Sequence, residues 1–159
     1  MELDNHKSDN SNPDANRPVY TLGIASQLSD IPAHSIRQYI DRGLLIPFKL
    51  SSKRHLFSQN DINRLKHIHL LIHEKGLNFA GIRRLLAQIP CWALRPCRPE
   101  DHARCGMRFE TRVPCWIAPE KLCVEKLKEC YHCPTYRRAR DLVDLKVHAD
   151  IIPKEAGDR

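Results

Sequence analysis

A mainly α fold carrying one small two-stranded hairpin is what this sequence predicts, and three observations predict it. Apolar residues recur at helical spacing from Val19 to about Ile89. A short strand-like passage from Leu44 to Phe57 interrupts them, and Pro90 closes the block. Every cysteine comes afterwards, between Cys91 and Cys133, in a stretch rich in Cys, Pro and Arg, and a helical pattern returns between Pro119 and Ile151.

The elements follow from their start and stop signals. Thr21 caps a first helix that would carry Leu22, Ile24, Ala25 and Leu28 inward, and Ser29 with Asp30 turns the chain. Pro32 suits the first position of a second helix, with Ile36 and Ile40 one turn apart on a buried face and His34, Arg37, Gln38 and Asp41 left exposed. Gly43 supplies the left-handed residue that ends it. Leu44, Leu45, Ile46 and Pro47, then Leu56 and Phe57, flank a polar tip of Ser51, Ser52, Lys53 and Arg54, which reads as a two-stranded wing. Ser58 and Asp61 form an acidic variant of the capping box for a third helix, striped by Ile62, Leu65, Ile68, Leu71 and Ile72 and ended by Gly76. Asn78 caps a fourth, with Ile82, Leu85, Leu86 and Ile89 inward and Arg83 and Arg84 outward. Two short helices across a tight turn, the second presenting polar side chains, is the arrangement that sets a helix into the major groove. The fold class is therefore mainly α: a winged helix-turn-helix with a small wing, followed by a cysteine-rich segment and a C-terminal helix.

Composition agrees with a nucleic-acid partner. The 159 residues carry a formal charge of +7, and each Lys or Arg set against a phosphate releases a condensed counterion. No apolar run approaches the roughly 20 residues that cross a bilayer, and the N-terminus lacks the apolar stretch of a signal peptide, so the expected location is cytoplasmic, with no membrane partner. Disulfides are rare in that compartment, which turns a cysteine cluster toward metal or redox chemistry. Four parts result: a disordered tail over 1–18, poor in apolar residues; the winged domain over 19–89; the cysteine-rich segment over 90–134; and a C-terminal helix and tail over 135–159.

The run from Tyr20 to Leu86 resembles the DNA-binding domain of MerR-family transcription regulators. The resemblance rests on Tyr20-Thr21-Leu22-Gly23, Arg37-Gln38-Tyr39, Gly43-Leu44-Leu45, Phe57-Ser58 with Asp61-Ile62, and Gly76-Leu77. It implies that Arg37 and Tyr39 contact DNA from the second helix and that Lys53, Arg54 and His55 grip phosphates from the wing. Gln38 stands where the family commonly has a second Tyr, Ile40 where it has an acidic residue and His55 where it has an Arg, so base preference does not transfer. Gln38 is a candidate for direct adenine readout, with phosphate or water contact equally open. The resemblance further implies a homodimer, promoter DNA as partner, and an effect on RNA polymerase exerted indirectly through promoter shape. Pro90 and the cysteines occupy the expected start of the dimer helix, and Pro119 to about Ile151 is the replacement candidate, though Pro134 interrupts it.

The seven cysteines are Cys91, Cys97, Cys105, Cys115, Cys123, Cys130 and Cys133, all candidate metal ligands. Two phrases echo each other, Ile89-Pro90-Cys91-Trp92 and Val113-Pro114-Cys115-Trp116, and the segment resembles small bacterial modules built around paired Cys-Trp phrases. Cys130 and Cys133 have the spacing with which two thiolates reach one ion. Cys115, Cys123, Cys130 and Cys133 would complete one site, leaving Cys91, Cys97 and Cys105 as three ligands open to a fourth such as His102. Irregular spacing, Pro134 and the tryptophans lean toward an iron-sulfur cluster, with zinc as the alternative. His69 and His73 share a helix face without a third ligand and are left out, and Arg137, Arg138 and Arg140 read as a solvated face. The expectation is a DNA-binding transcription regulator, not an enzyme, responsive to metal or redox state through its cysteines. Two alternatives stand beside it: a thiol redox or electron-transfer protein, and an architectural DNA binder with structural zinc.

Overall fold

The computed structural model describes residues 13–94, 99–118, 123 and 127–139. Order begins ahead of the boundary expected at residue 18, because Pro13–Asn16 forms a turn of 3-10 helix whose Asn16 Oδ1 accepts from Asn60 Nδ2 at 2.8 Å. Residues 1–12 of the expected tail lie outside the described residues.

Helix α1 (Leu22–Ser29) starts at Thr21, whose hydroxyl accepts from the Ile24 amide, and ends at Asp30 in the left-handed conformation. Its inward face is narrower than expected. Ala25 and Ser29 are buried, whereas Ile24 and Leu28 are 41% and 44% exposed, because a short helix that meets its neighbours along one edge buries one line of side chains rather than a broad stripe. Helix α2 (Ala33–Asp41) follows, with Pro32 in extended geometry at the cap position rather than inside the first turn. Ile36 and Tyr39 are its buried residues, and Ile40 is partly buried against the core.

Gly43 has φ of +73°, and a Cβ there would meet Ile117 Cγ2 at 2.5 Å, so two separate constraints demand glycine at the exit of α2. Leu44, Leu45 and Ile46 are a buried connector rather than strand, and the wing proper is β1 (Phe48–Lys49) antiparallel to β2 (His55–Leu56), with Phe48 opposite Leu56 and Lys49 opposite His55. Backbone bonds between Tyr20 and Phe57 tie the wing's return to the start of the domain. Helix α3 (Gln59–His73) carries the full capping box of Ser58 and Asp61, and α4 (Phe79–Ala87) is capped by Asn78.

The second half is folded onto this frame. It contains α5 (Cys91–Leu94), α6 (Pro99–Arg104), a 3-10 turn at Gly106–Arg108, α7 (Leu127–His132) and α8 (Pro134–Arg138). Pro134 interrupts the expected helix: α7 stops at His132, Cys133 is extended, and Pro134 opens α8, where its missing amide hydrogen has no partner to lose in a first turn. The rest of the helix expected over 119–151 lies outside the described residues. Trp116, Tyr131 and Tyr136 are fully buried and belong to the same core cluster as Ile36, Phe57, Ile62 and Leu65, so the division expected at residue 90 is not a boundary between cores.

Asp61 joins the two halves. Its Oδ2 accepts from the Ser58 amide at 2.8 Å, the Ser58 hydroxyl at 2.9 Å and the Tyr131 hydroxyl at 2.8 Å, while Arg137 Nη1 lies 3.5 Å from Oδ1. Arg137 was expected on a solvated face; its guanidinium instead stacks 3.8 Å from the Tyr131 ring centre, drawn in by the carboxylate. Burial, and then the Asp61 carboxylate, push the Tyr131 hydroxyl up to about 12, so it remains a donor at any physiological pH. Beside it Arg64, 6% exposed, donates to the Tyr136 carbonyl at 2.6 Å and lies 3.8 Å from that ring's centre.

Asp61→Ala removes a helix cap and strands Tyr131 and Arg137, so urea unfolding is expected to show a loss of about 3–5 kcal/mol, the range for breaking a buried charged pair. Tyr131→Phe deletes a single bond to a charged acceptor and is expected to lose about 1.5–3 kcal/mol with an unchanged slope against urea.

Candidate nucleic-acid interface

Four side chains of α2 point to solvent: His34, Arg37, Gln38 and Asp41. They fall at helical spacing opposite Ile36 and Tyr39, so burying one edge of α2 leaves the other as a rigid row of polar groups. The last residue of this row, Asp41, lines one cleft with Phe48 and Lys49 of the wing, whose tip exposes Lys53 and Arg54. Lys53 adopts φ of 62°, and its amide donates to the Leu50 carbonyl at 3.0 Å, which fixes the tip as a tight turn. Arg37, Gln38, Lys53 and Arg54 are thus all available to an external polyanion, from one helix and one hairpin.

Tyr39 and His55 are placed differently from these four. Tyr39 is 2% exposed, its ring set edge-on to Phe79 and its hydroxyl 3.1 Å from His69 Nδ1, which leaves at most the hydroxyl for a phosphate. The sequence signal for its burial was available, since Tyr39 lies three residues beyond Ile36 on the same face. His55 is half-buried in β2. Burial, then Lys49, lower its pKa, with Asp41 acting weakly in the opposite sense. His55 is therefore neutral near physiological pH and brings a polar rim to the wing rather than a charge.

The fold has the element order, the capped helices and the wing of a DNA-reading domain, and its sequence matches one. Residues 20–89 match the family described as MerR HTH family regulatory protein. Residues 20–89 are a MerR-family helix-turn-helix domain. The Streptomyces coelicolor heat shock protein named HspR is 35% identical over 69 residues, covering 43% of this chain and 46% of that protein. The HTH-type transcriptional regulators named GlnR of Bacillus anthracis and Bacillus cereus are each 38% identical over 69 residues, covering 43% of this chain and 53% of theirs. The chain spans about half the length of the curated relatives it matches.

Two of the cysteines pack directly on the MerR-type domain: Cys130 belongs to its core cluster and Cys115 lies against it. The two echoed phrases fold alike: the Ala93 amide donates to Pro90 O at 2.9 Å and the Ile117 amide to Pro114 O at 3.1 Å, so each Pro-Cys-Trp phrase is one tight turn. The Cys133 amide donates to Cys130 O at 3.1 Å, closing a third turn. Cys115 is partly buried, and burial followed by the charges of Cys91, Cys123, Cys133 and Cys130 pushes its thiol up to about 12. Cys91, Cys123, Cys130 and Cys133 are thus all within electrostatic reach of Cys115. Cys97 lies outside the described residues, as does the side chain of His102, while Cys105 is partly buried and is not among the groups acting on Cys115. Among the described residues no group of three or more His, Cys, Asp and Glu side chains is gathered tightly enough to hold an ion as it stands.

Of the two tryptophans, Trp116 is buried and donates from Nε1 to the Gly43 carbonyl at 2.7 Å, whereas Trp92 is 40% exposed. Tyr136 bonds through its hydroxyl to both backbone groups of Ile46, accepting from the amide at 2.7 Å and donating to the carbonyl at 3.3 Å. These anchors at the exit of α2 and the base of the wing are what sequence reading missed. Their signal, aromatic residues adjacent to or three beyond cysteines, is visible only once the partners over 70 residues away are known.

His55 also gives a pH dependence. A histidine whose pKa is lower in the folded state favours folding in its neutral form, so stability is full above its ordinary value of 6.5 and declines as pH falls through the folded pKa. His55→Gln is expected to flatten that decline in thermal melts recorded from neutral to acidic pH.

Proposed function

We propose that this protein is a transcription regulator that binds double-stranded promoter DNA through α2 and the wing and is controlled by cysteine-held metal. The observation that carries the reading is the exposed Arg37 and Gln38 on α2 standing next to a wing tipped by Lys53 and Arg54, within a MerR-family domain. Such a helix enters the major groove while a neighbouring basic hairpin takes the phosphates. Gln38 is assigned to base or phosphate contact, and Tyr39 contributes through its hydroxyl. The neutral His55 supports the wing's geometry.

The relatives that carry names of regulators favour a regulator over an enzyme, and a thiol oxidoreductase is the less favoured reading. No helix among the described residues is long and apolar enough to cross a membrane. The proposal locates the protein in the cytoplasm as a homodimer, acting on RNA polymerase indirectly through promoter shape; this part rests on the resemblance of the DNA-reading domain to its family.

For the control element, Cys91, Cys115, Cys123, Cys130 and Cys133 are the proposed pool of ligands, with Cys97 and Cys105 remaining candidates. The donor set fits a soft cation: thiols crowded together resist collective ionisation, and a bound cation offsets that repulsion. An iron-sulfur cluster is the proposed occupant and zinc the alternative. Cys115, Cys130 and Cys133 are adjacent to Trp116, Tyr131 and Pro134, in the segments that anchor on Gly43, Asp61 and Ile46. Ligand binding that draws these cysteines together is transmitted to the exit of α2 and the wing base through those bonds, altering how the reader sits on DNA.

Fluorescence anisotropy with promoter duplexes tests the DNA part. Binding is expected to weaken with salt, and Arg54→Ala is expected to lower the slope of log affinity against log salt by about one, the loss of one phosphate contact. Binding insensitive to salt, or equal for Arg37→Ala and the unmodified chain, would sink the assignment. Anaerobically purified protein is expected to be brown and to contain iron and sulfide; colourless protein with stoichiometric zinc would favour the alternative, and protein without metal would remove the control element.

A further inference from the structure

A cleft of about 370 Å³ opens where the exit of α2, the base of the wing, α4 and the cysteine-bearing segment meet. Its volume is that of a small-molecule site. Leu45, Pro47 and Phe48 come from the connector and wing, and Ile117 and Tyr131 from the segment folded over them, so the walls are apolar. The polar groups that would otherwise face a ligand there are already bonded. Gly43 O accepts from Trp116, both backbone groups of Ile46 are held by Tyr136, and the Tyr131 hydroxyl donates to Asp61. The interior therefore offers contact area without hydrogen bonds.

Charge is supplied by the remaining lining residues. Arg42, Lys49 and Arg83 line the cleft with Asp41 as the single carboxylate, three cations against one anion. Arg42 is held in place over the Phe79 ring, its guanidinium 5.4 Å from the ring centre. Arg83 reaches the cleft from α4, outside the row of α2 and wing residues proposed to meet DNA.

We propose that this cleft binds a small amphipathic organic anion, with a flat apolar body seated on Phe48, Ile117 and Tyr131 and an anionic head among Arg42, Lys49 and Arg83. An apolar body gains from leaving water without requiring internal partners, and the head gains charge-assisted hydrogen bonds at the mouth. A ligand seated there touches the DNA reader and the cysteine-bearing segment at once. None of its lining residues is a cysteine, so the ligand needs no thiol to bind.

The test uses the full chain and two fluorescent probes with similar aromatic bodies, 8-anilinonaphthalene-1-sulfonate and the uncharged N-phenyl-1-naphthylamine. The sulfonate is expected to bind at one saturable site with amide shifts in nitrogen–proton correlation spectra centred on Gly43, Lys49 and Ile117. Arg83→Gln is expected to weaken it about tenfold, the effect of losing one charge-assisted contact. Lys49→Gln, a second substitution at an exposed position, is expected to weaken it in the same direction while far-UV dichroism stays unchanged. Equal binding of the uncharged probe would overturn the proposal. So would shifts centred on the exposed Val19, Ile24 and Leu28 surface, several equivalent sites, or affinity unaffected by both substitutions.

Discussion

A buried carboxylate is intolerant of missing partners, and Asp61 has four groups addressed to it. Two come from Ser58 and start α3; the others, Tyr131 and Arg137, come from chain some 70 residues later. An ionised group taken out of water costs several kcal/mol unless its neighbours replace the lost hydration, so the helix start and the docking of the C-terminal segment are satisfied by one residue or fail together. Arg64 extends the constraint. Its guanidinium lies against the paired rings of Tyr136 and Trp116, 3.8 and 5.7 Å from their centres, and donates to the Tyr136 carbonyl.

From this fastening comes the relation between sulfur and the DNA reader. Cys130 immediately precedes Tyr131 and Cys115 immediately precedes Trp116, while Tyr136 follows Cys133 by one helical turn. Each aromatic anchor ends on a different part of the reader: Asp61 at the start of α3, Gly43 at the exit of α2, Ile46 before the wing. Cys130 thus belongs to the same core cluster as Ile36 of α2, Leu44 to Ile46 and Ile62 of α3, and Cys115 packs against it. A change of a few tenths of an ångström at the thiols has a packed route to the wing, since densely packed interiors transmit strain. Gly43 is a tight point on that route, with Ile117 occupying the space a side chain would need.

What was legible in the sequence was local. Thr21, Ser58 and Asn78 cap the helices they were expected to cap, and Gly43 and Gly76 take left-handed conformations at the expected stops, because caps and turns are decided within four residues. The exposed face of α2 was legible for the same reason. The exposure of Ile24 and Leu28 was not, since periodicity reports that a face is apolar and not whether a neighbour reaches it. The burial of Arg64 and the inward stacking of Arg137 were opaque because their partners are aromatic rings and a carboxylate distant in sequence. The echo of the two Pro-Cys-Trp phrases was readable as repetition, and its structural meaning, two matching turns that bring Cys91 toward Cys115, needed the fold.

The cysteine-bearing segment is fastened to the MerR-type domain through the Tyr136 hydroxyl on Ile46. Native-state hydrogen exchange at the Ile46 amide reads that contact directly, because the donor's partner is the Tyr136 hydroxyl at 2.7 Å. Slow exchange in the intact chain, accelerated sharply in Tyr136→Phe while the α3 core amides stay protected, is the predicted result. Exchange at the rate of an open loop in the unmodified protein would contradict it.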